Sequence, residues 1–220
     1  MSQGIRPSVA VFSQSLWQQG IPQEWRAGLT HIHVLDDALF AQISPLESAG
    51  QMGYVLNVAS LQQTQAIQPH ANTVILDCIQ DAGNVGSILR TASAMGFKQI
   101  LAVKGTAALW SPKVLRAGMG AHFALQLFED CTVQSMNSLY VSLLVIHLQG
   151  QTLLHQAMLP SPCAWIFGHE GRGVDSHWMQ RASQVVRIAQ PGGEESLNVA
   201  AAAAICLFAS TSQPGNSVPV

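Results

Sequence analysis

Between Val199 and Ala209 the chain reads VAAAAAICLFA, a helix-forming run that is apolar on every side. Such a segment belongs inside a protein, so the composition predicts a buried helix rather than an amphipathic one. The residues before it are of the opposite character: a short apolar strand (VVRIA), a Pro-Gly-Gly turn, two acids, then Ser196-Leu197-Asn198. Ser196 or Asn198 can cap the helix by accepting main-chain N–H bonds at its open N-terminus. The glycines allow main chain to approach a ligand with no side chain between. A polar loop feeding a buried helix points to a bound cofactor.

The rest of the composition agrees that much apolar surface must be hidden. Apolar residues make up 48% of the chain and charged residues only 10%, with a mean hydropathy of +0.24. Either a parallel sheet covered on both faces or an oligomer interface can absorb this. No uninterrupted apolar run reaches about 18 residues, which argues against a membrane span. The opening MSQGIRPSVAVFSQ lacks the apolar core of a secretory signal. Cys78, Cys131, Cys163 and Cys206 are scattered, with no CxxC pair and no histidine at ligand spacing. They are expected to be free thiols in a reducing cytoplasm, mostly buried, with no metal site. A net charge of -2 and a pI near 6.4 argue against a generic polyanion binder. Any nucleic-acid contact must rest on a local basic patch.

Residues 1–70 hold only short apolar pieces (Ile32–Leu35, Ala38–Ile43, Tyr54–Val58), and a polar linker follows at 62–72. They predict a small α/β module. Residues 71–220 form a second domain with a regular pattern. The strands are expected at TVILDC, QILAVK, HFALQLF, LYVSLLVIHL, AWIFG and VVRIA. Helices are expected at Asn84–Met95, Pro112–Ala117, Val133–Ser138, Leu153–Ala157, Asp175–Arg181 and after Asn198. Apolar strands alternating with helices imply a parallel α/β sheet wrapped on both faces. Ligands on such sheets sit at the carboxyl ends of strands.

Two further loops bear on function. DCIQDAGNVGSILRTASAMGF runs from a strand through a glycine-containing turn into a helix carrying Arg90, with Asn84 available as a cap. The GxGxxG dinucleotide pattern is absent from it. WIFGHEGRGV ends a strand at Gly168 and packs three glycines into six residues, with Glu170 able to bind a ligand or pair with Arg90 or Arg172, and His169 as a candidate base.

Taken together, NxGxxxRTAxxxG, GxEGRG after a strand, and SLN before a small-residue helix resemble the three motifs of the SpoU (TrmH-like) ribose 2′-O-methyltransferases of the SPOUT superfamily. The match runs from about Asn72 to Ser210. It implies a C-terminal deep trefoil knot, against the general rule that chains do not knot, and a homodimer whose active site uses both subunits. It also implies an S-adenosyl-L-methionine pocket held by main chain around Gly168, Ile188 and Leu197, with Phe167, Ser196 and Asn198 beside them. By the same resemblance Arg90 activates the ribose hydroxyl, and Asn84, Glu170, Ser196 and Asn198 complete the site. A guanidinium is a poor base, since its pKa lies above about 12. Arg90 is therefore read as an electrostatic stabiliser that also grips a phosphate. RNA, ribosomal or transfer, would be met by Arg90, Lys104, Lys113, Arg116 and Arg172. Gly118 stands where the family often has Ser or Cys. FAQISPLESAGQMGYVLNVA resembles the segment leading out of an L30e-like RNA-binding domain, which makes the N-terminal region a reduced form of that domain.

Two other readings follow from the same residues. One is an inactive RNA-binding or assembly protein on the knotted dimer, suggested by the low basic charge. The other is a nucleotide-dependent oxidoreductase on an ordinary doubly wound sheet, weakened by the missing fingerprint.

Overall fold

The computed structural model describes residues 7–44, 50–62, 66–193 and 196–213, with main chain only at 60 and 62. Two units are distinct, Met1–Thr64 and Gln65–Val220. In the first, β1 (Val9–Ser13) is followed by α1 (Gln14–Gln19), α2 (Gln23–Arg26), β2 (His31–Leu35), α3 (Asp37–Ile43), β3 (Met52–Val55) and α4 (Val58–Gln62). The strands form one sheet in the order β2-β1-β3, with β1 parallel to β2 and antiparallel to β3. Its small core is Ala10, Phe12 and Ile21, with Trp17, Trp25 and Tyr54 packed around it. The segment LESAG of the L30e-like stretch lies largely outside the described residues.

The second unit contains β4 (Thr73–Asp77), α5 (Ala82–Ala94), β5 (Gln99–Val103), α6 (Pro112–Gly118), β6 (Gln126–Cys131), β7 (Ser142–Ile146), β8 (Thr152–Leu153), β9 (Cys163–Gly168), α7 (Ser176–Arg181), β10 (Gln184–Arg187) and α8 (Val199–Thr211). The seven strands lie in the order β6-β5-β4-β9-β7-β10-β8, and every neighbouring pair is parallel. All residues of β4 and β9 are buried, as expected of central strands covered on both sides. Successive residues serve opposite faces. Val74, Leu76, Trp165 and Phe167 join the core shared with Val85, Ile88 and Leu89 of α5 and Ala203, Cys206 and Leu207 of α8. Ile75, Ala164 and Ile166 join the core around Trp178 of α7.

Several elements differ from expectation for identifiable reasons. The expected linker at 62–72 belongs in its later part to the sheet domain, which moves the boundary to 64/65. Buried Gln99 accepts from the Gln68 N–H (2.7 Å) and donates to Thr73 Oγ1 (2.9 Å). Asn72 Oδ1 accepts from the Cys163 N–H at 2.9 Å. HFALQLF is split into a 3-10 turn at Ala121–Ala124 and strand β6. Leu153–Ala157 begins as strand β8, because β10 offers it a parallel neighbour. The apolar helix α8 is only half buried. Ala202, Ala203, Cys206 and Leu207 face the sheet, while Ala201, Ile205 and Phe208 are exposed. Cys131, Cys163 and Cys206 are buried free thiols and Cys78 is half-buried. Burial pushes Cys131 up to about 11 and Cys163 up to about 12.

Gly118 has a local cause. A Cβ there would lie 2.6 Å from Cε1 of His122 and 2.9 Å from its Nδ1. His122 is buried against Trp110, and its Nε2 is 2.8 Å from the Leu109 carbonyl. Burial lowers its pKa, so the ring is held neutral. The imidazole thus fills the space that a serine or cysteine side chain would take. Gly118→Ala is expected to destabilise the fold by about 1–3 kcal/mol, with His122→Ala restoring part of the loss in the double variant. Thermal melts of the three proteins check this; additive losses would show that the two positions do not compete for space.

Candidate active site

The chain leaves β4 toward β5 and β6 on one side and later fills the other side with β9, β7, β10 and β8. The switch between β4 and β9 is where a crevice opens at the strand ends. Asp77 ends β4 directly opposite Gly168, which ends β9. The buried Asp77 carboxylate accepts from the Asp175 N–H at 2.8 Å and so pins the far end of the 169–175 loop. Between these points the loop folds back on itself. Gly173 donates its N–H to the His169 carbonyl at 2.8 Å, and a Cβ on Gly168 would lie 2.3 Å from the Gly173 main chain. His169 Nδ1 accepts from the Gly171 N–H at 2.9 Å, so that nitrogen shapes the loop.

The three sequence motifs meet at Asn84. This residue is not the cap of α5. Asp81 is, its carboxylate accepting from the Asn84 N–H at 2.7 Å. Asn84 therefore sits in the first turn with its carboxamide free to bridge. Its Nδ2 donates to Glu170 Oε1 at 3.1 Å, and its Oδ1 accepts from Asn198 Nδ2 at 2.9 Å. Asn198 in turn caps α8, its Oδ1 accepting from the N–H groups of Ala200 and Ala201 at 2.9 and 3.2 Å. Glu170 also accepts from the N–H groups of Asp81 and Gln80 at 3.1 and 3.3 Å. Burial pushes the Glu170 carboxyl up. Hydrogen bonds from its own main chain, Asn84, Asp81 and Gln80 outweigh this and hold it below its ordinary value. It is an ionised acceptor, suited to fixing loops and not to donating a proton.

Beside this network lies a cleft of about 460 Å³, within the roughly 300–1,000 Å³ of small-molecule sites. Of the residues expected from sequence, Gly168, Glu170, Arg172, Ile188, Ser196, Leu197 and Asn198 line it. Asn84 reaches it only through Glu170 and Asn198. Phe167 does not line it: strand alternation turns this side chain into the core, where it stacks on Trp165 with ring centroids 6.1 Å apart. Arg90 is exposed on α5, outside the cleft lining and without an ion pair among the described residues. Lys104, Lys113 and Arg116 are exposed and likewise outside it. Sequence reading missed His147 and Leu148 after β7, and Gln190 after β10. Their place just beyond apolar strands was the available signal. Among the described residues, no group of three or more His, Cys, Asp or Glu could hold a metal, and no helix is long and apolar enough to cross a membrane.

A parallel α/β sheet, a switch-point cleft of small-molecule size and a carboxamide junction joining three loops place a candidate ligand site at the strand ends. The SpoU rRNA Methylase family matches residues 71–208, and the chain belongs to that family. It is 27% identical to the 23S rRNA (guanosine(2553)-2′-O)-methyltransferase RlmP of Bacillus subtilis, over 86% of this chain and 75% of that protein. It is 32% identical to the 23S rRNA (guanosine-2′-O-)-methyltransferase RlmB of Bordetella pertussis, over 67% of this chain and 62% of that protein. A solved RNA 2′-O ribose methyltransferase shares the fold with a TM-score of 0.74 and 25% identity, covering 95% of this chain and 82% of that one.

Proposed function

We propose that the protein transfers the methyl group of S-adenosyl-L-methionine to a ribose 2′-hydroxyl of structured RNA, ribosomal or transfer. The observation that carries this reading is the Glu170–Asn84–Asn198 junction beside a cleft of cofactor size in a SpoU-family domain. Methyl transfer is an in-line displacement: the ribose oxygen attacks, S-adenosylhomocysteine leaves, and the hydroxyl proton passes to a neighbouring group or water. Positioning supplies much of the acceleration in such a reaction. Main chain around Gly168, Ile188 and Leu197 holds the cofactor, and Ser196 and Asn198 fix the loop that closes on it. Arg90 stabilises the developing oxyanion and grips a neighbouring phosphate. Lys104, Lys113, Arg116 and Arg172 meet the RNA backbone, and an unpaired loop nucleotide is the accessible target.

The C-terminal segment is knotted in this reading. Its support is that β10 runs between β7 and β8, the two strands joined by the 147–151 connection. It runs so close that a Cβ on Gly150 would lie 2.6 Å from the Val186 main chain. The N-terminal unit is a reduced L30e-like RNA-binding module, and the buried free thiols fit a reducing cytoplasm. The working form is a homodimer. Ala201, Ile205 and Phe208 recur at i, i+4 and i+7 as one exposed apolar stripe on α8, which a second copy would cover.

Titration calorimetry with S-adenosylmethionine and, separately, NAD tests the cofactor, and saturable binding of the first alone is expected. Transfer of a labelled methyl group to ribosomal RNA from a strain lacking the protein tests the reaction. Phe208→Glu should shift sedimentation from dimer to monomer; a monomeric wild-type protein would remove the dimer from the reading.

A further inference from the structure

Asp81 is tied to the junction through both its main chain and its side chain. Its N–H donates to Glu170 Oε1 at 3.1 Å, and its carboxylate accepts from the Asn84 N–H at 2.7 Å. Glu170 Oε1 also accepts from the Asn84 carboxamide, at 3.1 Å. We propose that Asp81 is a positioning residue of the methyl-transfer site: by capping α5 it keeps the Asn84 carboxamide on Asn198 and so holds the 196–198 segment in place. This rests on the reading of the cleft as an S-adenosylmethionine site.

Two preferred helix caps stand one turn apart here. Asp81 has extended backbone (φ -75°, ψ 117°), and α5 begins at the next residue. The turn that follows, Ala82-Gly83-Asn84, contains a glycine, the weakest helix former after proline. It therefore depends on its cap. Without the Asp81 side chain, the Asn84 carboxamide is the next preferred cap along the chain, since Asn caps as well as Asp. As a cap, Asn84 accepts through Oδ1 from the N–H two or three residues on, at Gly86 or Ser87. In the structure that same Oδ1 accepts from Asn198 Nδ2 at 2.9 Å. Turning it over its own helix takes it off that partner. Asn198 keeps its capping bonds to Ala200 and Ala201, so α8 stays intact while its link to α5 is lost. Ser196, Leu197 and Asn198 line the cleft, which makes cofactor affinity the quantity that reports the link.

The test is a double-variant cycle read by calorimetry with S-adenosylmethionine and by thermal melts. Asp81→Ala keeps the N–H that serves Glu170 and removes only the cap. It is expected to weaken cofactor binding about 2- to 13-fold, the range of one net hydrogen bond. Asp81→Asn and Asp81→Ser keep a capping acceptor and should bind within about twofold of wild type. In the Asn84→Ala background the main-chain N–H that Asp81 caps is still present, but the carboxamide is gone. There Asp81→Ala should change affinity by less than about twofold. It should also lower the melting temperature more than it does in wild-type protein, because no second cap takes over. A cap that merely stabilises α5 would instead cost the same affinity in both backgrounds. That result, or wild-type affinity in Asp81→Ala, would overturn the assignment. Failure of wild-type protein to bind the cofactor would instead overturn the reading of the cleft, and the melts would still decide whether Asn84 replaces the missing cap.

Discussion

Arg90→Ala is expected to slow methyl transfer about 100- to 1,000-fold, the usual effect of removing one group that stabilises a developing oxyanion. Affinity for S-adenosylmethionine should stay within about twofold of wild type, because an interaction made only at the transition state leaves ground-state binding alone. The geometry separates the two effects. Arg90 lies on the exposed side of α5, outside the cleft lining, and makes no ion pair among the described residues. Removing it breaks none of the bonds of Asn84, Glu170 and Asn198. Nor does it open a cavity in the core. Arg90→Lys should recover only part of the rate, since an ammonium keeps the charge but loses the planar fork that can hold an oxyanion and a phosphate together. Single-turnover transfer and calorimetry on the same preparations check both quantities. Wild-type turnover in Arg90→Ala would remove the residue from the chemistry, and a parallel loss of cofactor affinity would place it in the cofactor site instead.

The sequence showed the sheet domain better than it showed the site. The parallel α/β class was legible because β4, β5, β7 and β9 are short apolar runs between helical stretches, the pattern of strands covered on both faces. The burial of α8 was misjudged because apolarity says that a surface must be covered, not whether its own chain or another covers it. Asn84 was offered as a cap, because Asn is a common cap, beside the place in the site that the resemblance gave it. Asp81, three residues earlier, competes for that place and wins, which releases the Asn84 carboxamide for Glu170 and Asn198. Phe167 was assigned to the cofactor by its neighbourhood in the motif, but alternation along β9 sends it to the core. Gln190 and His147 were passed over because a polar residue in a loop carries no local signal of burial. Their place just beyond β7 and β10 was the one available signal, and the three-dimensional meeting of β7, β9 and β10 brings them to the cleft.

Gly168→Ala is expected to abolish measurable binding of S-adenosylmethionine and to lower the melting temperature. The added Cβ would lie 2.3 Å from the carbonyl carbon and oxygen of Gly173 and from the nitrogen of Val174. All three are main-chain atoms, so no side-chain rotation relieves the clash and the loop itself must open. Opening it breaks the bond from the Gly173 N–H to the His169 carbonyl. It also draws Glu170 away from Gln80, Asp81 and Asn84. Overpacking of this kind destabilises by about 1–3 kcal/mol, and a displacement near 1 Å in a positioning loop reduces turnover about 100-fold. Gly171→Ala is the matched control in the same loop. Its Cβ would meet only the His169 ring, at 3.7 Å, an ordinary contact that should leave binding and stability near wild type. Loss in the first variant with retention in the second would locate the effect in the β9 strand end pressed against its own returning loop. Equal binding by both would mean that the close approach at Gly168 does not shape the cofactor site.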